Sequence, residues 1–135
     1  GAGRRAKTYG SLLAAAYDPK ENKYYSFTKV GTGLTDETLA GLSKLLDEYK
    51  LDKKHKLLET VMKMDVWFEP KIVMEVSGAE ITVSPTHPVA KEKIKRGGLA
   101  LRFPKFLRWR KDKSPEDATT TGEIYNLWKL STDSR

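Results

Sequence analysis

The feature that most constrains the fold of this 135-residue chain is a series of short apolar runs, each stopped by glycine or proline. Most of these runs follow strand spacing, and the run that begins after Thr35 is a longer helical stripe. Strands and helices do not alternate regularly along the chain, which argues against a parallel α/β sheet. The predicted strand segments are residues 9–17, 23–30, 71–77, 80–84 and 99–110.

Local signals place the first elements and the last one. Residues 9–17 and 23–30 flank the loop DPKEN, and two strand-forming runs around such a loop predict a hairpin. Thr35 precedes two acidic residues, which is the pattern of a helix N-terminus. This helix is predicted to extend to about Tyr49 with its leucines in the core, and a short terminal helix is predicted over residues 123–130.

Five strands with one long helix after the second predict a mainly β domain. The inventory fits an OB-fold, a five-stranded Greek-key barrel, here with one long helix and a short C-terminal helix. The nearest alternative is an SH3-like barrel, which would not need the long helix. At this length, residues 1–135 are predicted to form a single domain, within which residues 50–65 give no clear pattern.

The net charge of +7 is concentrated in one segment. Residues 91–113 hold ten basic and two acidic residues, a net of +8, whereas the remainder holds fifteen basic and sixteen acidic residues, a net of −1. Such a patch favours a polyanionic partner, and nucleic acid is the commonest one. An anionic membrane is the weaker alternative, because the apolar residues of the segment follow strand rather than helix spacing.

Several classes of function are excluded or disfavoured by composition. The chain has no cysteine, so disulfides, thiolate zinc sites and a thiol nucleophile are excluded. His55 and His87 have no acidic residue at metal-ligand spacing, so no metal site is predicted. The absence of cysteine is compatible with an intracellular protein. No apolar run has the length of a membrane span, and the N-terminus lacks the apolar stretch of a signal peptide, so no membrane partner is predicted. The start GAGRRAKTYG, which has no Met, is expected to be a cut inside a longer protein.

Two further patterns permit only limited interpretation. KVGTG, residues 29–33, lacks the spacing of a phosphate-binding loop and is interpreted as a strand end that needs a positive φ. Glu69, Glu75 and Glu80 could form an acidic pair across strands, but nothing in the sequence identifies a partner for such a pair.

The basic segment ends in Arg110-Lys111-Asp112-Lys113. Strand alternation places Arg110 and Asp112 on one face, and Lys111 and Lys113 on the other. Cations held by a nearby carboxylate suit a triphosphate, because fixed positive charge offsets the charge that develops on a leaving pyrophosphate. Four residues of common type are a weak signal alone, and they gain weight from the basic strand before them.

Four stretches together resemble a known family. RRAKTYG, KVGTG, EVSGAEITVSP and LRFPKFLRWRKDKSPEDATT are similar, in this order, to landmarks of the C-terminal OB-fold domain of ATP-dependent DNA ligases of the archaeal and eukaryotic replicative type. The resemblance covers essentially the whole chain. It implies a role in sealing nicks in duplex DNA, with ATP binding, during DNA replication, repair and recombination.

The resemblance also implies roles for particular residues. Arg110, Asp112 and Lys113 match the motif Arg-x-Asp-Lys that orients ATP while a lysine of the enzyme is adenylylated. Phe103 matches an aromatic residue that packs into the minor groove beside the nick. The implied DNA-binding set is Arg4, Arg5, Arg102, Phe103 and Lys105.

The remaining implications concern what this chain needs from elsewhere. Ligases of this family attack ATP with the lysine of Lys-x-Asp-Gly, and the nearest string here, residues 63–66 (KMDV), lacks the glycine. The adenylation domain is therefore expected as a partner in the same polypeptide, and the isolated chain is expected to be inactive. The complete enzyme would use ATP and Mg²⁺ and act on nicked double-stranded DNA, in an archaeal cytoplasm or in a nucleus. A sliding clamp bound through other domains is an open possibility.

Two other functions stay open at the level of sequence. One is a stand-alone single-stranded nucleic-acid-binding OB module, in which exposed aromatic residues stack on bases. The other is the OB domain of an mRNA capping enzyme, which shares Arg-x-Asp-Lys but is not known to share RFPKFLRW or KVGTG. Arg-x-Asp-Lys disfavours the first of these, because a stacking surface has no use for a triphosphate motif.

Overall fold

The computed structural model describes residues 11–94 and 97–133 of the chain. They form a mainly β structure, which confirms the predicted fold class. The strands are β1 (Leu12–Asp18), β2 (Lys23–Val30), β3 (Lys50–Leu51), β4 (Leu58–Glu59), β5 (Trp67–Phe68), β6 (Met74–Ser77), β7 (Glu80–Ser84), β8 (Gly98–Arg102) and β9 (Lys105–Trp109). The helices are α1 (Asp36–Asp47) and α2 (Thr121–Asp133), and a 3₁₀ helix covers Pro115–Asp117.

Strands β1 and β2 form the predicted hairpin. They pair antiparallel from Leu12 opposite Val30 to Asp18 opposite Lys23. The carboxylate of Asp18 closes the turn by accepting hydrogen bonds from the backbone N–H groups of the following loop. The part of the predicted first strand before residue 11 lies outside the described residues.

Helix α1 begins where its capping signal predicts. The hydroxyl oxygen of Thr35 accepts a hydrogen bond from the backbone N–H of Thr38 at 3.1 Å, which satisfies one of the free donors of the first turn. Leu39 is fully buried and Leu46 nearly so. The predicted helix and its core face are therefore confirmed, and the rest of that core cluster is Leu12, Val30, Leu34 and Phe106.

The described strands form four separate sheets. Strand β2 lies between β1 and β4, while β3 pairs with β5, β6 with β9 and β7 with β8. The two-residue strands β3 and β4 lie within residues 50–65, which show no clear sequence pattern, and β5 follows that region. Because these sheets do not join into one closed sheet within the described residues, the barrel of five strands stays a prediction.

The ladders β6–β9 and β7–β8 are two halves of one antiparallel ribbon. Ser77 lies opposite Lys105 at the end of the first half, and Glu80 lies opposite Arg102 at the start of the second. The chain bends between them, at Gly78 and Ala79 on one side of the ribbon and at Phe103 on the other. A Cβ atom at Gly78 would lie 2.3 Å from the side chain of Leu101, so this bend depends on glycine.

The prediction that residues 99–110 form one unbroken basic strand is wrong. The segment forms two strands with different partners, because Phe103 has a φ of 55° and interrupts the extended backbone. A second irregularity follows in β9, where Glu75 pairs with Arg108 and Val76 pairs with Phe106. Leu107 is the extra residue of this β-bulge, which shifts the alternation of side chains by one position.

The C-terminal helix is confirmed and longer than predicted. It covers Thr121–Asp133 and buries Ile124 against the second core cluster, which includes Val89 and Leu99. Neither helix within residues 11–94 and 97–133 is long and apolar enough to cross a membrane.

Candidate functional site

The bend of the ribbon brings three of the predicted DNA-binding residues together: Arg102, Phe103 and Lys105. Phe103 is 68% exposed, and the guanidinium carbon of Arg102 lies 4.8 Å from the centre of its ring. Arg102 also lies 3.9 Å from the carboxylate of Glu80 on the paired strand. The corner therefore presents an aromatic ring with a cation stacked on it, and the exposed Lys105 follows two residues later.

The backbone of Phe103 is unusual for a bulky residue. Its φ of 55° lies in the left-handed region, which costs a residue with a Cβ atom about 1–2 kcal/mol. The ring is exposed, so burial does not offset this cost. Strained residues of this kind cluster at functional sites, and an exposed aromatic ring held in a strained position indicates a binding role.

The motif KVGTG, residues 29–33, contacts the start of β9, directly after this corner. The carbonyl oxygen of Thr32 accepts a hydrogen bond from the backbone N–H of Phe106 at 2.8 Å. Gly33 has a φ of 89°, and a Cβ atom there would lie 2.5 Å from the carbonyl oxygen of Phe106. The interpretation of this motif as a strand end that needs a positive φ is therefore confirmed, and its role is to let the chain pass close to β9.

The second predicted group lies where β9 ends. Arg110 and Asp112 form a two-point ion pair, with Nε 3.0 Å from Oδ1 and Nη2 2.8 Å from Oδ2. The backbone N–H of Lys113 donates to the carbonyl oxygen of Arg110 at 3.2 Å, which closes a turn directly after the strand. The structure thus brings Arg110, Asp112 and the backbone of Lys113 together, while the Lys113 side chain is exposed.

A second carboxylate binds Arg110 from the neighbouring strand. Oε1 of Glu75 accepts from Nη1 of Arg110 at 3.0 Å, and from Nε and Nη2 of Arg108 at 3.2 and 3.1 Å. Arg108 and Arg110 are two residues apart on an extended chain, so both side chains lie on the same face, opposite Glu75. The β-bulge at Leu107 shifts the alternation of side chains so that both arginines lie on this face. It also places Phe106 and Trp109 on one face, where their ring centres are 4.6 Å apart.

The charges of this cluster stabilise one another. The hydrogen bonds from Arg110 hold the pKa of Asp112 down at about 2. Hydrogen bonds from Arg108, with those from Arg110, lower the pKa of Glu75. The pKa of Arg110 is raised above its ordinary value, chiefly by the hydrogen bonds to Asp112. The formal charges of the two arginines and the two carboxylates cancel, which leaves Lys111 and Lys113 as the surplus positive charge.

The chain after Lys113 is fixed by a small capping arrangement. The carboxylate of Asp117 accepts from the backbone N–H of Ser114 at 3.3 Å and from its hydroxyl at 2.9 Å. These bonds to Ser114 lower the pKa of Asp117. The position of Lys113 is thus defined on both sides, by the turn to Arg110 before it and by this cap after it.

The donors of this cluster suit a phosphate group. Arg110 carries five N–H donors, and the two carboxylates accept from three of them. The other two N–H donors have no acceptor among the described residues. Both carboxylates are already bound by arginine. A divalent cation bound within this cluster would therefore have to compete with arginine for either carboxylate.

The two predicted groups are brought to opposite ends of one strand. Lys105 begins β9 and Arg110 follows its last residue, so they lie about 16 Å apart at the usual rise of a strand. Arg4 and Arg5 lie outside the described residues. The sequence alone does not identify Arg108 or the role of Glu75, because both depend on the register across β6 and β9.

The other candidates from the sequence have structural contacts. The acidic residues at 75 and 80 pair with arginines rather than with each other. Nδ1 of His87 lies 3.0 Å from the hydroxyl of the buried Ser26, and partial burial lowers the pKa of His87. Nδ1 of His55 accepts the backbone N–H of Leu57. Residues 11–94 and 97–133 contain no cluster of three His, Asp or Glu side chains suited to a metal ion.

Comparison with known proteins identifies the family. A family model described as "ATP dependent DNA ligase C terminal region" matches residues 5–113. The chain belongs to this family. The matched region includes both ends of β9 and extends to the last residue of Arg-x-Asp-Lys.

Individual relatives agree with the family match. The chain is 51% identical over 131 residues to "DNA ligase 2" of Thermofilum pendens, which covers 96% of this chain and 22% of that protein. It is 50% identical over 130 residues to "DNA ligase" of Hyperthermus butylicus, covering 96% and 21%. A "DNA ligase 2" of Korarchaeum cryptofilum is likewise 50% identical over 130 residues, covering 96% and 22%. The chain therefore spans about a fifth of the length of the curated relatives it matches.

Proposed function

We propose that this domain is the mobile OB-fold part of an ATP-dependent DNA ligase that seals nicks in duplex DNA, with separate contacts to the triphosphate of ATP and to DNA. The observation that carries this proposal is the paired arrangement of Arg110 and Asp112 at one end of β9, within a region that matches the ligase family. The other end of the same strand carries the exposed corner around Phe103.

Arg110 and Lys113 are assigned to the first step of the reaction, the transfer of AMP from ATP to a lysine of the adenylation domain. In that step pyrophosphate leaves with growing negative charge, and fixed cations stabilise the transition state. Asp112 holds the guanidinium of Arg110 in one orientation, so the cation does not have to be ordered when the nucleotide arrives. No Lys-x-Asp-Gly string occurs in this chain, so we expect no ligation by this domain alone.

The Phe103 corner is assigned to nicked duplex DNA. An exposed aromatic ring can pack against sugars and bases in the minor groove, while Arg102 and Lys105 meet phosphates. We include Arg4 and Arg5 in this surface on the resemblance alone. The salt dependence of DNA binding should be steep, because each phosphate contact releases counterions.

The alternatives are less well supported. The relatives named above are called DNA ligases, which does not favour either a stand-alone single-strand binder or a capping enzyme. We place the complete protein inside the cell, in DNA replication, repair and recombination. It would use ATP and Mg²⁺, its adenylation domain would belong to the same polypeptide, and any sliding clamp would bind through other domains.

Single-turnover kinetics of the complete ligase tests the assignment. Arg110→Ala and Lys113→Ala should slow formation of the enzyme–adenylate on the order of a hundredfold, the usual effect of removing one such donor. Sealing of pre-adenylylated nicked DNA should change much less, because no pyrophosphate leaves in that step. Phe103→Ala should show the opposite pattern, since ATP chemistry requires no DNA.

The control is Lys20→Ala, which removes an exposed lysine from the turn between β1 and β2. This variant should leave both steps close to wild type. Equal losses in both steps for all three site variants would contradict the proposal and would indicate a folding defect instead.

A further inference from the structure

Glu75 joins two arginines that the motif alone does not connect. It lies on β6, directly opposite Arg108 in the register of β6 and β9. A single oxygen of its carboxylate accepts three N–H groups, two from Arg108 and one from Arg110, at 3.0–3.2 Å. Bonds between a carboxylate and a guanidinium are among the strongest hydrogen bonds in proteins, and several on one acceptor restrict both partners.

The contacts of Arg110 show what each carboxylate contributes. Asp112 binds the edge formed by Nε and Nη2, and Glu75 binds Nη1. The side chain of Arg110 is only 25% exposed, compared with 64% for Arg108 and 64% for Asp112. Asp112 belongs to the same short turn as Arg110, so it can move with that turn, whereas Glu75 ties the guanidinium to a different strand.

We propose that Glu75 is a positioning residue for nucleotidyl transfer, which holds Arg110 against β6 so that its remaining N–H donors face the triphosphate. This inference rests on the proposed function. Arg108 takes part as the second arginine on the same acceptor, and its own guanidinium becomes an additional exposed cation next to Arg110. Glu75 and Arg108 both lie outside the motif Arg-x-Asp-Lys.

The test uses Glu75→Ala and Glu75→Gln in the complete ligase, with enzyme–adenylate formation measured against ATP concentration. Glu75→Ala should lower the maximum rate of this step by about tenfold, because a small displacement of a catalytic group is costly and Asp112 still holds part of Arg110. Glu75→Gln should recover part of the rate, since its amide oxygen still accepts N–H groups. Sealing of pre-adenylylated nicked DNA should stay near wild type in both variants.

The matched control is Glu59→Ala. Glu59 has the same side-chain exposure as Glu75, 34%, and forms a comparable cross-strand ion pair with Lys23 at 3.2 Å, on the sheet of β1, β2 and β4. Its loss should leave enzyme–adenylate formation near wild type. A structural role alone would make Glu75→Ala and Glu59→Ala alike, and would affect both steps of the reaction.

A double variant separates this inference from the proposed function. When Arg110 is already Ala, Glu75→Ala should add almost nothing, because the group that it positions is gone. If Arg110→Ala slows adenylylation while Glu75→Ala behaves like Glu59→Ala, the positioning role is wrong and the proposed function stands. If Arg110→Ala itself leaves adenylylation unchanged, the proposed function fails. Independent, additive losses from the two substitutions would also overturn the positioning role.

Discussion

Phe103 offers a test in which stability and binding should change in different ways. Its backbone φ is 55°, and its ring is 68% exposed. Phe103→Gly and Phe103→Ala both remove the ring, but only glycine adopts the left-handed conformation without steric cost. The pair of variants therefore isolates the backbone from the side chain.

The expected difference in stability follows from two opposing terms. A residue with a Cβ atom loses about 1–2 kcal/mol in the left-handed region, and alanine keeps that cost. Glycine avoids it but loses about 0.5–1 kcal/mol more in conformational entropy on folding. At the midpoints of these ranges the glycine variant should be more stable than the alanine variant by about 0.75 kcal/mol, which is roughly 3 °C in Tm for a domain of this size. Urea and thermal unfolding of the 135-residue chain would measure the difference.

The effect on DNA binding should be the same for both variants. Affinity for a fluorescent nicked duplex at low salt should fall about tenfold, within the range found for aromatic stacking residues. Val61→Ala, which shortens another exposed apolar side chain (72% exposed), should bind like wild type. Equal stability of the two Phe103 variants would refute the argument from backbone strain. Unchanged DNA affinity in both would refute the assignment of Phe103 to DNA.

Two further predictions concern the supports of the site. Gly33→Ala should lower the free energy of unfolding by more than about 1 kcal/mol, because its φ is 89° and the new Cβ would meet the carbonyl oxygen of Phe106. Gly41→Ala on the open face of α1 should instead raise it by about 0.5–1 kcal/mol, and equal effects in urea denaturation would contradict the close approach. The lowered pKa of Asp112, about 2, should stabilise the fold above the unfolded value of about 4 and cease to do so as pH falls through about 2. The difference in the free energy of unfolding between wild type and Asp112→Asn should therefore be constant above about pH 4 and shrink towards pH 2, and a difference independent of pH would refute the ion pair.

The elements that were predicted correctly depend on local signals. The hairpin of β1 and β2 follows from two strand-forming runs around a polar loop, and Asp18 supplies the turn contacts that such a loop needs. Helix α1 follows from the capping position of Thr35 and the leucine spacing. Residues close in sequence determine these features, so a single sequence is sufficient to predict them.

The basic segment could not be predicted in the same way. Simple alternation over residues 99–110 assumes an unbroken strand. Phe103 and the bulge at Leu107 each change which face the following side chains lie on. A Phe-Pro pair carries no clear signal for a left-handed residue, and a bulge depends on what the partner strand offers. For the same reason the partners of Glu75 were missed, since they lie more than thirty positions along the chain.

The motif residues themselves were easier to predict than their surroundings. Arg110 and Asp112 do lie together, with two hydrogen bonds between their side chains. The turn that follows β9 brings them together, so the strand alternation that was predicted across residues 110–113 is wrong. The positions of Arg102 and Lys105 beside Phe103 needed the bend of the ribbon, which in turn needs Gly78 opposite it. Sequence thus indicates which residues act together when they are neighbours, and structure adds the groups that support them.

The separation of the two groups along β9 would let the domain serve both steps of the proposed function. Each end of the strand has its own anchor: the Phe103 corner is held by the close approach of Gly33 and by the bend at Gly78, and Arg110 is held by Glu75 and Asp112. Effects at sites about 16 Å apart without shared partners are usually independent. Under the proposed function, a domain that turns different surfaces towards the adenylation domain and towards DNA needs this independence, because the contacts that are idle in one step must survive unchanged for the next. Strand β9 connects the two groups, and the supports of one end are different residues from the supports of the other.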